Sequence, residues 1–456
     1  MLRAWEDYRH DNPIRSDFAN ESPDIVNGVQ GAFGLLRGPR EVVLGVGQRR
    51  VLPTVVQGLG SRALVVTDPH LAAGSGLREL VDGLTAARVA VRVFDEAAPE
   101  LPLEQVPVAA DVARRHGADV VIGFGGGSCL DLAKVLALLL AHGGEPGDYY
   151  GEGIVPGPVA PVVAVPTTAG TGSEVTPVAV VTDPGRTIKV GISSPHLIPA
   201  VAVCDPELTV SCPRAVTAAA GADALTHGIE AFTAVRRPVT PELSRERVFV
   251  GSNVLTDLFA LEAIRAVAAH LKRACDVPDD LDARSGMMRA ALAGGFAFGT
   301  AGTAAAHALQ YPIGALTHTS HGAGVGALIP YVMAFNAEER VGKLGEIARA
   351  MAAENGESEP AGLARAAVRA VAALLASVGI PRTIAELGVP ADRLPDMARE
   401  AMSARRLVEN NPRPLDEESA LVLLRAAHAG ELTVLGEGRA PHLSGSPVAQ
   451  PVGGVS

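Results

Sequence analysis

The sequence predicts an α/β domain built on a mostly parallel sheet, followed by an all-α domain. In the first half, short β-branched runs alternate with helical stretches, which is typical of βαβ units. After Pro213 the strand signal almost disappears, and Ala, Leu and Arg recur at helical spacing to about Gly436. These two observations predict the fold class, a Rossmann-like parallel sheet followed by a helical domain.

The predicted elements of the first half come in a regular order. The strand-like segments, most of which end in Gly, Asp or Pro, are EVVLGVG, ALVVTD, VAVRVFDE, DVVIGFGGG, VVAVPTT, VAVVTD and AVAVCDP. The helix-like segments are LRELVDGLTAA, VPVAADVARRHG and SCLDLAKVLALLLAHGG. Ligands of such sheets bind at the carboxyl ends of the strands, so functional residues are expected in the loops that follow them.

The domain boundaries follow from these patterns. We predict an N-terminal extension over residues 1–30, the α/β domain over 31–212 and the helical domain over 213–437. The stretch 233–253 carries Pro and charge and is predicted to be a loop or insertion. The end, 438–456, is rich in Pro, Gly and Ser and is predicted to be disordered.

Composition narrows the class of function. The chain has 456 residues, 48% of them apolar, and a net charge of -11 without basic runs, which argues against nucleic acid or an anionic membrane as partner. The four cysteines are far apart, so neither a disulfide framework nor a zinc knuckle is expected. The N-terminus lacks an apolar signal core, and no uncharged apolar run reaches the ~20 residues of a spanning helix. We expect a cytoplasmic protein that acts on a small molecule.

A glycine-rich turn between a predicted strand and helix is a candidate phosphate site. Gly125, Gly126 and Gly127, followed by Ser128, leave room for backbone amides to approach a phosphate. The helix that follows adds its positive N-terminal end. The motif is not the GxGxxG fingerprint, and a plain βα turn explains it about equally well.

A second polar loop follows the strand VVAVP. Its hydroxyls belong to Thr167, Thr168, Thr171 and Ser173. A structural loop is the simpler explanation for this segment alone, but two such loops at one sheet edge favour a nucleotide site.

Asp68 ends the strand ALVVTD, where a carboxylate can accept hydrogen bonds from a ribose diol and repel a 2′-phosphate. It therefore favours NAD(H) over NADP(H). A helix cap or turn before Pro69 is at least as common a role for such an aspartate.

Four metal-ligand side chains lie in the helical half. Asp223 and His227 are four residues apart in an apolar helical segment and share one face. His307 ends a small-residue run, and His321 stands before Gly322 in a turn-like SHG. Three imidazoles and a carboxylate suit a divalent transition metal such as Fe(II) or Zn(II). Taken alone, the Asp223–His227 pair is more often a surface pair than a ligand pair.

Together these motifs resemble the iron-containing (group III) alcohol dehydrogenase family. The matching pieces are GGGSCLDLAK, PTTAGTGSEVTPVAVVTD, GADALTHGIEAF, HALQYPIGALTHTSHG and NNPRPL, in the family's order over roughly residues 30 to 436. The resemblance implies a dinucleotide-binding domain, a helical metal-binding domain and a site in the cleft between them. It also implies dimers or larger homo-oligomers.

The resemblance assigns roles to individual residues. It implies the metal ligands Asp223, His227, His307 and His321. It implies a cofactor pyrophosphate at Gly126, Gly127 and Ser128, with further cofactor contacts from Asp131, Thr167, Thr168 and Lys189.

Tyr311 departs from the family's pattern. The family usually has a second histidine there, one turn after His307, facing the nicotinamide. Tyrosine followed by Pro-Ile resembles the hydroxyacid-oxoacid transhydrogenase branch, as do VGSNVLTD and LKRACDVPDDLDARS. Tyr311 is predicted to orient the substrate or pass a proton, with His318 or water as the other proton source. Packing before a helix-ending Pro312 is the simpler alternative.

The predicted reaction is hydride transfer between a nicotinamide and a small carbonyl compound or alcohol, with the metal as Lewis acid. One alternative is a hydroxyacid-oxoacid transhydrogenase, whose anionic substrates need cations, and the insertion offers Arg236, Arg237, Arg245 and Arg247. A second is a reductase of a semialdehyde or phosphonoaldehyde. A third, a lyase of the dehydroquinate synthase type, is disfavoured because the cleft motifs of the helical domain are apolar.

Overall fold

A six-stranded parallel sheet forms the core of the N-terminal half. The computed structural model describes residues 33–186 and 189–433, so the predicted extension 1–30 and tail 438–456 lie outside the described residues. The sheet has the strand order β1-β9-β6-β4-β2-β3, and every pairing in it is parallel. Its strands are β1 Glu41–Leu44, β2 Arg62–Val66, β3 Ala90–Phe94, β4 Val120–Gly125, β6 Val162–Pro166 and β9 Val201–Cys204.

Helices cover both faces of this sheet. Alternate residues of a strand contribute to different cores: Leu64 and Val66 belong to one buried cluster, and Ala63 and Val65 belong to another. This alternation follows from the two-residue period of a strand. The helices are α1 Leu52–Gln57, α2 Pro69–Ala72, α3 Ser75–Ala86, α4 Gln105–His116 and α5 Gly127–His142.

One predicted strand does not join the main sheet. The segment VAVVTD forms β7 Val178–Val181, which pairs antiparallel with β8 Val190–Ser193, while β5 Gly151–Glu152 pairs with β8 in parallel. Every second residue of β7 is only partly buried, whereas the central strands β4 and β6 are buried throughout. The half-exposed pattern suits a small side sheet better than the centre of a doubly covered one. The predicted mostly parallel sheet thus acquires a separate three-stranded neighbour.

The described chain after Pro213 is helical, with one isolated β-bridge between Arg236 and Gly251. The longer helices are α6 Arg214–Thr233, α8 Val254–Asp276, α9 Leu281–Ala301, α10 Ala305–Thr317, α11 His321–Phe335, α12 Ala337–Ala350, α13 Pro360–Ser377 and α16 Glu417–Ala429. The shorter ones are α7 Leu243–Glu246, α14 Leu394–Ala401 and α15 Arg405–Val408. The fold class is therefore as predicted, while the exact boundary at residue 212 stays a prediction.

Helix α13 is long and apolar enough, by length and composition, to cross a membrane. The 18 residues of this helix have a mean hydropathy of 1.2, and 44% of them are buried within the fold. Leu363, Val368, Val371 and Leu375 of this helix belong to the main core of the helical domain. We interpret α13 as a core helix.

The packing alternative for Tyr311 assumed that Pro312 ends a helix, and this assumption is wrong. Pro312 lies inside α10, which continues to Thr317 and ends at His318 in the left-handed conformation. A proline removes one backbone hydrogen bond from a helix but does not stop it where packing holds both halves. Pro312 and Ile313 are both buried, so tertiary contacts overcome the local signal.

Candidate active site

Three predicted metal ligands, Asp223, His227 and His307, place ligand atoms within 4.8 Å of one another, and His321 approaches the Asp223 carboxylate. Atom Oδ1 of Asp223 lies 3.6 Å from Nε2 of His227, 3.8 Å from Nε2 of His307 and 3.5 Å from Nε2 of His321. The rings of His227 and His307 stack with centroids 4.9 Å apart. Each imidazole thus turns a nitrogen toward the same carboxylate oxygen.

Three helices bring these side chains together. Asp223 and His227 occupy successive turns of α6, His307 lies in the first turn of α10, and His321 begins α11. The start of α11 approaches α6 so closely that a Cβ on Gly322 would stand 2.0 Å from the carbonyl oxygen of Ala219. Glycine at this position therefore allows His321 to reach the cluster.

Two residues that the sequence did not predict form hydrogen bonds with the Nδ1 atoms of His307 and His321. Glu230 Oε2 lies 2.6 Å from Nδ1 of His307, and Gln310 Oε1 lies 2.8 Å from Nδ1 of His321. A carboxylate acceptor at Nδ1 assigns the proton to that nitrogen and leaves the lone pair of Nε2 free. Glu230 follows Asp223 by seven residues on the same helix face, a spacing that could have pointed to it.

The cluster fits a divalent cation. Asp223 Oδ1 and His307 Nε2 are buried without a hydrogen-bond partner among the described residues. Burial raises the pKa of Asp223 to about 6, although His307 opposes the shift. Burial, reinforced by His307, lowers the pKa of both His227 and His321 well below the ordinary value. Neutral imidazoles and a carboxylate with unpaired atoms are the ligands that a transition metal requires.

A cavity of about 1150 Å³ is lined both by the predicted metal ligands and by residues of the α/β domain. From the α/β domain, Gly126, Gly127 and Ser128 line it at the N-terminus of α5. A Cβ on Gly127 would lie 2.7 Å from the Thr171 side chain, so this turn and the second polar loop are in close contact. The two predicted loops do converge at one edge of the sheet, as a nucleotide site requires.

The other predicted cofactor residues fall into two groups. Thr168, Thr171, Ser173, Asp131 and Lys189 also line the cavity. Gly125 and Thr167 are buried in the strands behind it, where the Thr167 amide donates to the Gly125 carbonyl, and neither is among the described lining residues.

Asp131 and Lys189 have structural partners as well. Asp131 accepts from the Ser173 hydroxyl at 2.6 Å and from the Val180 amide at 2.9 Å, so it ties α5 to the polar loop and to β7. Lys189 forms an ion pair with Glu100 at 2.9 Å.

Asp68 takes the cap role that the sequence left open. Its carboxylate accepts from the Leu71 amide at 2.9 Å and caps α2. It is absent from the described lining of the cavity. A contact with ribose therefore stays a prediction.

Tyr311 and His318 both line the cavity on the helical side. Tyr311 packs on a small apolar cluster that includes Ala308 and Leu407, and burial raises the pKa of its hydroxyl. His318 is exposed at the end of α10. Tyr311 thus lies against the cavity wall, one helical turn beyond His307.

The predicted insertion arginines are not the cations of the cavity. Arg236 pairs with Asp257 at 2.9 Å on the outside, and none of the four insertion arginines belongs to the described lining. The helical domain instead contributes Arg405 and Arg406 from α15. These two arginines lie outside the apolar motifs that the sequence analysis considered, so the sequence did not predict them as cavity residues.

Comparison with known proteins points to one family. The model of iron-containing alcohol dehydrogenases matches residues 39–206, and that of the C-terminal part of the Fe-containing alcohol dehydrogenase family matches residues 217–428. Long-chain-alcohol dehydrogenase 1 of Geobacillus thermodenitrificans (strain NG80-2) is 35% identical over 381 residues, which are 83% of this chain and 92% of that protein.

Solved structures share the fold. A 1,3-propanediol oxidoreductase superposes with a TM-score of 0.81 at 31% identity and covers 87% of this chain and 100% of its own. A sulfoacetaldehyde reductase from Bifidobacterium kashiwanohense, in complex with NAD+, superposes with a TM-score of 0.74 at 27% identity and covers 87% of this chain and 99% of its own.

Proposed function

Because this chain belongs to the iron-containing alcohol dehydrogenase family and is an oxidoreductase, we propose that it transfers hydride between NAD(H) and a small carbonyl compound or alcohol at a divalent metal. The observation that carries the proposal is the cavity itself. One wall holds a carboxylate oxygen and three imidazole nitrogens that converge, and the opposite wall holds a glycine turn at a helix N-terminus. Such a pairing is suited to metal-assisted redox chemistry on a dinucleotide.

The α/β domain supplies the cofactor site in this proposal. The amides of Gly127 and Ser128 at the start of α5 bind the pyrophosphate, and Thr168 and Thr171 add hydroxyl donors. A solved relative is a complex with NAD+, which supports the same cofactor class here. NAD(H) rather than NADP(H) is proposed because Asp68 follows β2 at the carboxyl edge of the sheet.

The helical domain supplies the metal site. Asp223, His227, His307 and His321 would hold Fe(II), the metal of the family's name, and Zn(II) accepts the same ligands. When bound, the metal supplies Lewis-acid polarisation of the substrate oxygen, and the nicotinamide gives or takes the hydride. Glu230 and Gln310 keep the imidazoles in the required orientation.

Tyr311 is the proposed proton donor. Burial keeps its hydroxyl protonated at neutral pH, so in the reducing direction it donates a hydrogen bond, and then the proton, to the substrate oxygen. His318 at the cavity edge is the alternative source. The apolar cluster beneath Tyr311 holds its ring in place while the cleft excludes water.

A hydroxyacid-oxoacid transhydrogenase is the second candidate, and Tyr311 in place of the family's usual histidine is the observation that favours it. In that reaction the nicotinamide stays bound while a hydroxyacid gives hydride and an oxoacid takes it. Assembly into dimers or larger homo-oligomers, a cytoplasmic location and the absence of nucleic-acid or membrane partners stay predictions.

The test begins with the purified protein. Metal content is measured first, and NADH oxidation is then followed with a panel of aldehydes and ketones before and after chelation and after refilling with Fe(II) or Zn(II). We expect activity that is lost on chelation and restored by metal. A protein that holds about one metal ion per chain yet reduces no carbonyl compound would contradict the proposal. Nicotinamide that stays with the protein through gel filtration, with hydroxyacid-to-oxoacid exchange, would favour the transhydrogenase.

A further inference from the structure

One arginine in the cavity has a buried guanidinium nitrogen without a hydrogen-bond partner in the described structure. Arg406 lies on α15 and lines the cavity. Its Nη1 atom is buried without a hydrogen-bond partner, and the side chain donates no hydrogen bond to any residue of the described chain. Its guanidinium carbon lies 4.2 Å from the ring centroid of Phe249, which also lines the cavity. A buried cation with free donors is costly unless a ligand completes it.

The acids nearest to this guanidinium already have other partners. Glu152 Oε1 accepts from the amides of Val248 and Phe249. Glu230 uses both oxygens, one for the Ala306 amide and the other for the Ala304 amide and His307. Both acids influence Arg406 electrostatically, but neither makes a hydrogen bond with it. The positive charge is therefore partly balanced while its donors remain available.

The position of Arg406 is fixed by its surroundings. A Cβ on Gly302 would stand 3.2 Å from Nη1, so the guanidinium lies against the chain that leads to His307. Asn410, just after α15, donates to the carbonyls of Ala301 and Thr303 at 3.1 Å each and holds the two segments together. The guanidinium therefore packs beside the segment that leads to His307, the proposed metal ligand.

Arg406 is also close to the reacting end of the site. It interacts electrostatically with Tyr311, which packs on Ala308 and Leu407, and Leu407 directly follows Arg406. Tyr311 lies one helical turn from His307, a rise of ~6 Å. Arg406, Tyr311 and the proposed metal ligands therefore line one cavity, where a single small molecule can contact both ends of the site.

We propose that Arg406 binds an anionic group at the far end of the substrate, and that the substrate is a short carbonyl compound or alcohol that carries a carboxylate. The inference rests on the proposed function and narrows its substrate class. The planar guanidinium can meet a carboxylate with two parallel hydrogen bonds while Phe249 supports its face. An uncharged analogue would leave the guanidinium donors buried and unpaired, which costs free energy. The site should therefore select the acid over that analogue.

Two other roles for Arg406 make different predictions. If stacking on Phe249 were its whole purpose, its loss would reduce stability and affect charged and uncharged substrates alike. If it bound the cofactor, its loss would raise the KM for NADH. The cofactor residues proposed above lie on the α/β side of the cavity, whereas Arg406 and Phe249 belong to the helical side.

The test compares 4-oxobutanoate with butanal, four-carbon aldehydes that differ by a terminal carboxylate. Arg406→Met removes the charge and keeps much of the apolar contact, and Arg406→Lys keeps the charge without the planar fork. Arg236→Met is the matched control, because Arg236 is an outward arginine paired with Asp257. The measurements are kcat/KM for both aldehydes, the KM for NADH, the melting temperature and the direct binding of butanoate.

We expect the wild type to prefer 4-oxobutanoate. Arg406→Met should lower kcat/KM for 4-oxobutanoate by about 30-fold or more and change that for butanal by less than about threefold. Arg406→Lys should fall between, and Arg236→Met should behave as wild type. Butanoate binding should weaken in parallel with the loss on 4-oxobutanoate.

Three outcomes would overturn the inference: no preference for the acid in the wild type, equal losses on both aldehydes, or a raised KM for NADH alone. Turnover of butanal without acid preference would leave the proposed oxidoreductase function standing. If no carbonyl compound of the wider panel were reduced, the proposed function would fail, whereas butanoate binding that does not depend on Arg406 would overturn the inference independently.

Discussion

The Nδ1 atom of His307 lies 2.6 Å from Oε2 of Glu230, and both side chains are buried. The same carboxylate accepts the amides of Ala304 and Ala306 at the start of α10. One acid thus positions both the imidazole and the helix that carries it. This arrangement orients the His307 ring, because Nδ1 is occupied by Glu230 and only Nε2 is left to face Asp223.

Replacing Glu230 by Gln should weaken metal binding without unfolding the protein. Glutamine keeps one acceptor oxygen but loses the charge that favours the Nδ1–H form of His307, and such changes typically cost 10–100-fold in metal affinity. Competition with a chelator gives the affinity, and circular dichroism checks the fold. Glu338→Gln, an exposed acid on α12, is the control. Equal affinities in the three proteins would show that Glu230 is not needed to orient the ligand.

Replacing His307 by Ala should remove both metal and activity. The variant deletes the ligand whose buried Nε2 has no other partner in the described structure. Metal per chain is measured by elemental analysis, alongside the melting temperature. The matched control is His428→Ala. This variant removes a half-buried imidazole of α16 that contacts the Val389 carbonyl. An unchanged metal content in a folded His307→Ala protein would refute the ligand assignment.

Replacing Tyr311 by Phe should lower turnover by up to ~100-fold, the low end for a positioned proton donor. The ring and its packing remain, so the protein should fold normally. Tyr311→His should keep metal and gain an acid limb near pH ~6.5. The wild type should lack that limb, because burial raises the pKa of the phenol above its ordinary value of 10.0. The pH profiles of kcat and kcat/KM give the test.

Tyr331→Phe is the control for Tyr311. The Tyr331 hydroxyl donates to the Arg382 carbonyl at 2.8 Å, and Tyr331 is absent from the described cavity lining. Should Tyr311→Phe match Tyr331→Phe in rate and pH profile, Tyr311 is a packing residue and the proton comes from His318 or water.

Replacing Asp68 by Ser should raise the ratio of NADPH to NADH activity. Serine removes the charge that would repel a 2′-phosphate and still caps α2, so the stability should change by less than about 1 kcal/mol. The ratio of kcat/KM values for the two cofactors is the measurement. Asp95→Ser, an exposed acid after β3, is the control. A wild-type enzyme that already prefers NADPH would contradict the prediction.

Replacing Glu174 by Gln should stabilise the protein more at pH 8 than at pH 5. Burial raises the pKa of Glu174 to about 7, although Lys134 opposes the shift, and its Oε1 has no partner in the described structure. A raised folded pKa means that the stabilising contribution is full below the unfolded pKa near 4.5 and is lost as pH rises through about 7.

The glutamine variant mimics the protonated acid and should not lose this contribution. Urea unfolding at both pH values should show a difference in unfolding free energy between variant and wild type that is larger at pH 8 by about 2–3 kcal/mol. Glu346→Gln, an exposed acid, should show no such dependence. A difference that is independent of pH would mean that Glu174 is ionised throughout.

Local sequence patterns were sufficient to predict the strands of the main sheet, because these strands carry a clear apolar signal. The runs of β2, β4, β6 and β9 are apolar over several residues and end at Gly, Asp or Pro, which is typical of strands buried on both faces. The short strands β5 and β8 escaped notice, since two to four residues with a glycine carry little periodic signal. The continuation of α10 through Pro312 was missed for a related reason, because the packing that holds it is not local.

By itself, the sequence determined the order of the main-sheet strands and the two loops at the sheet edge, since strand ends are properties of the local chain. The family resemblance added the four proposed metal ligands. Only the tertiary structure decided which carboxylate faces His307, which amide faces His321, and that Arg406 rather than an insertion arginine faces the cavity. Those relationships join residues from different helices, and their burial and free donors exist only after the helices have packed.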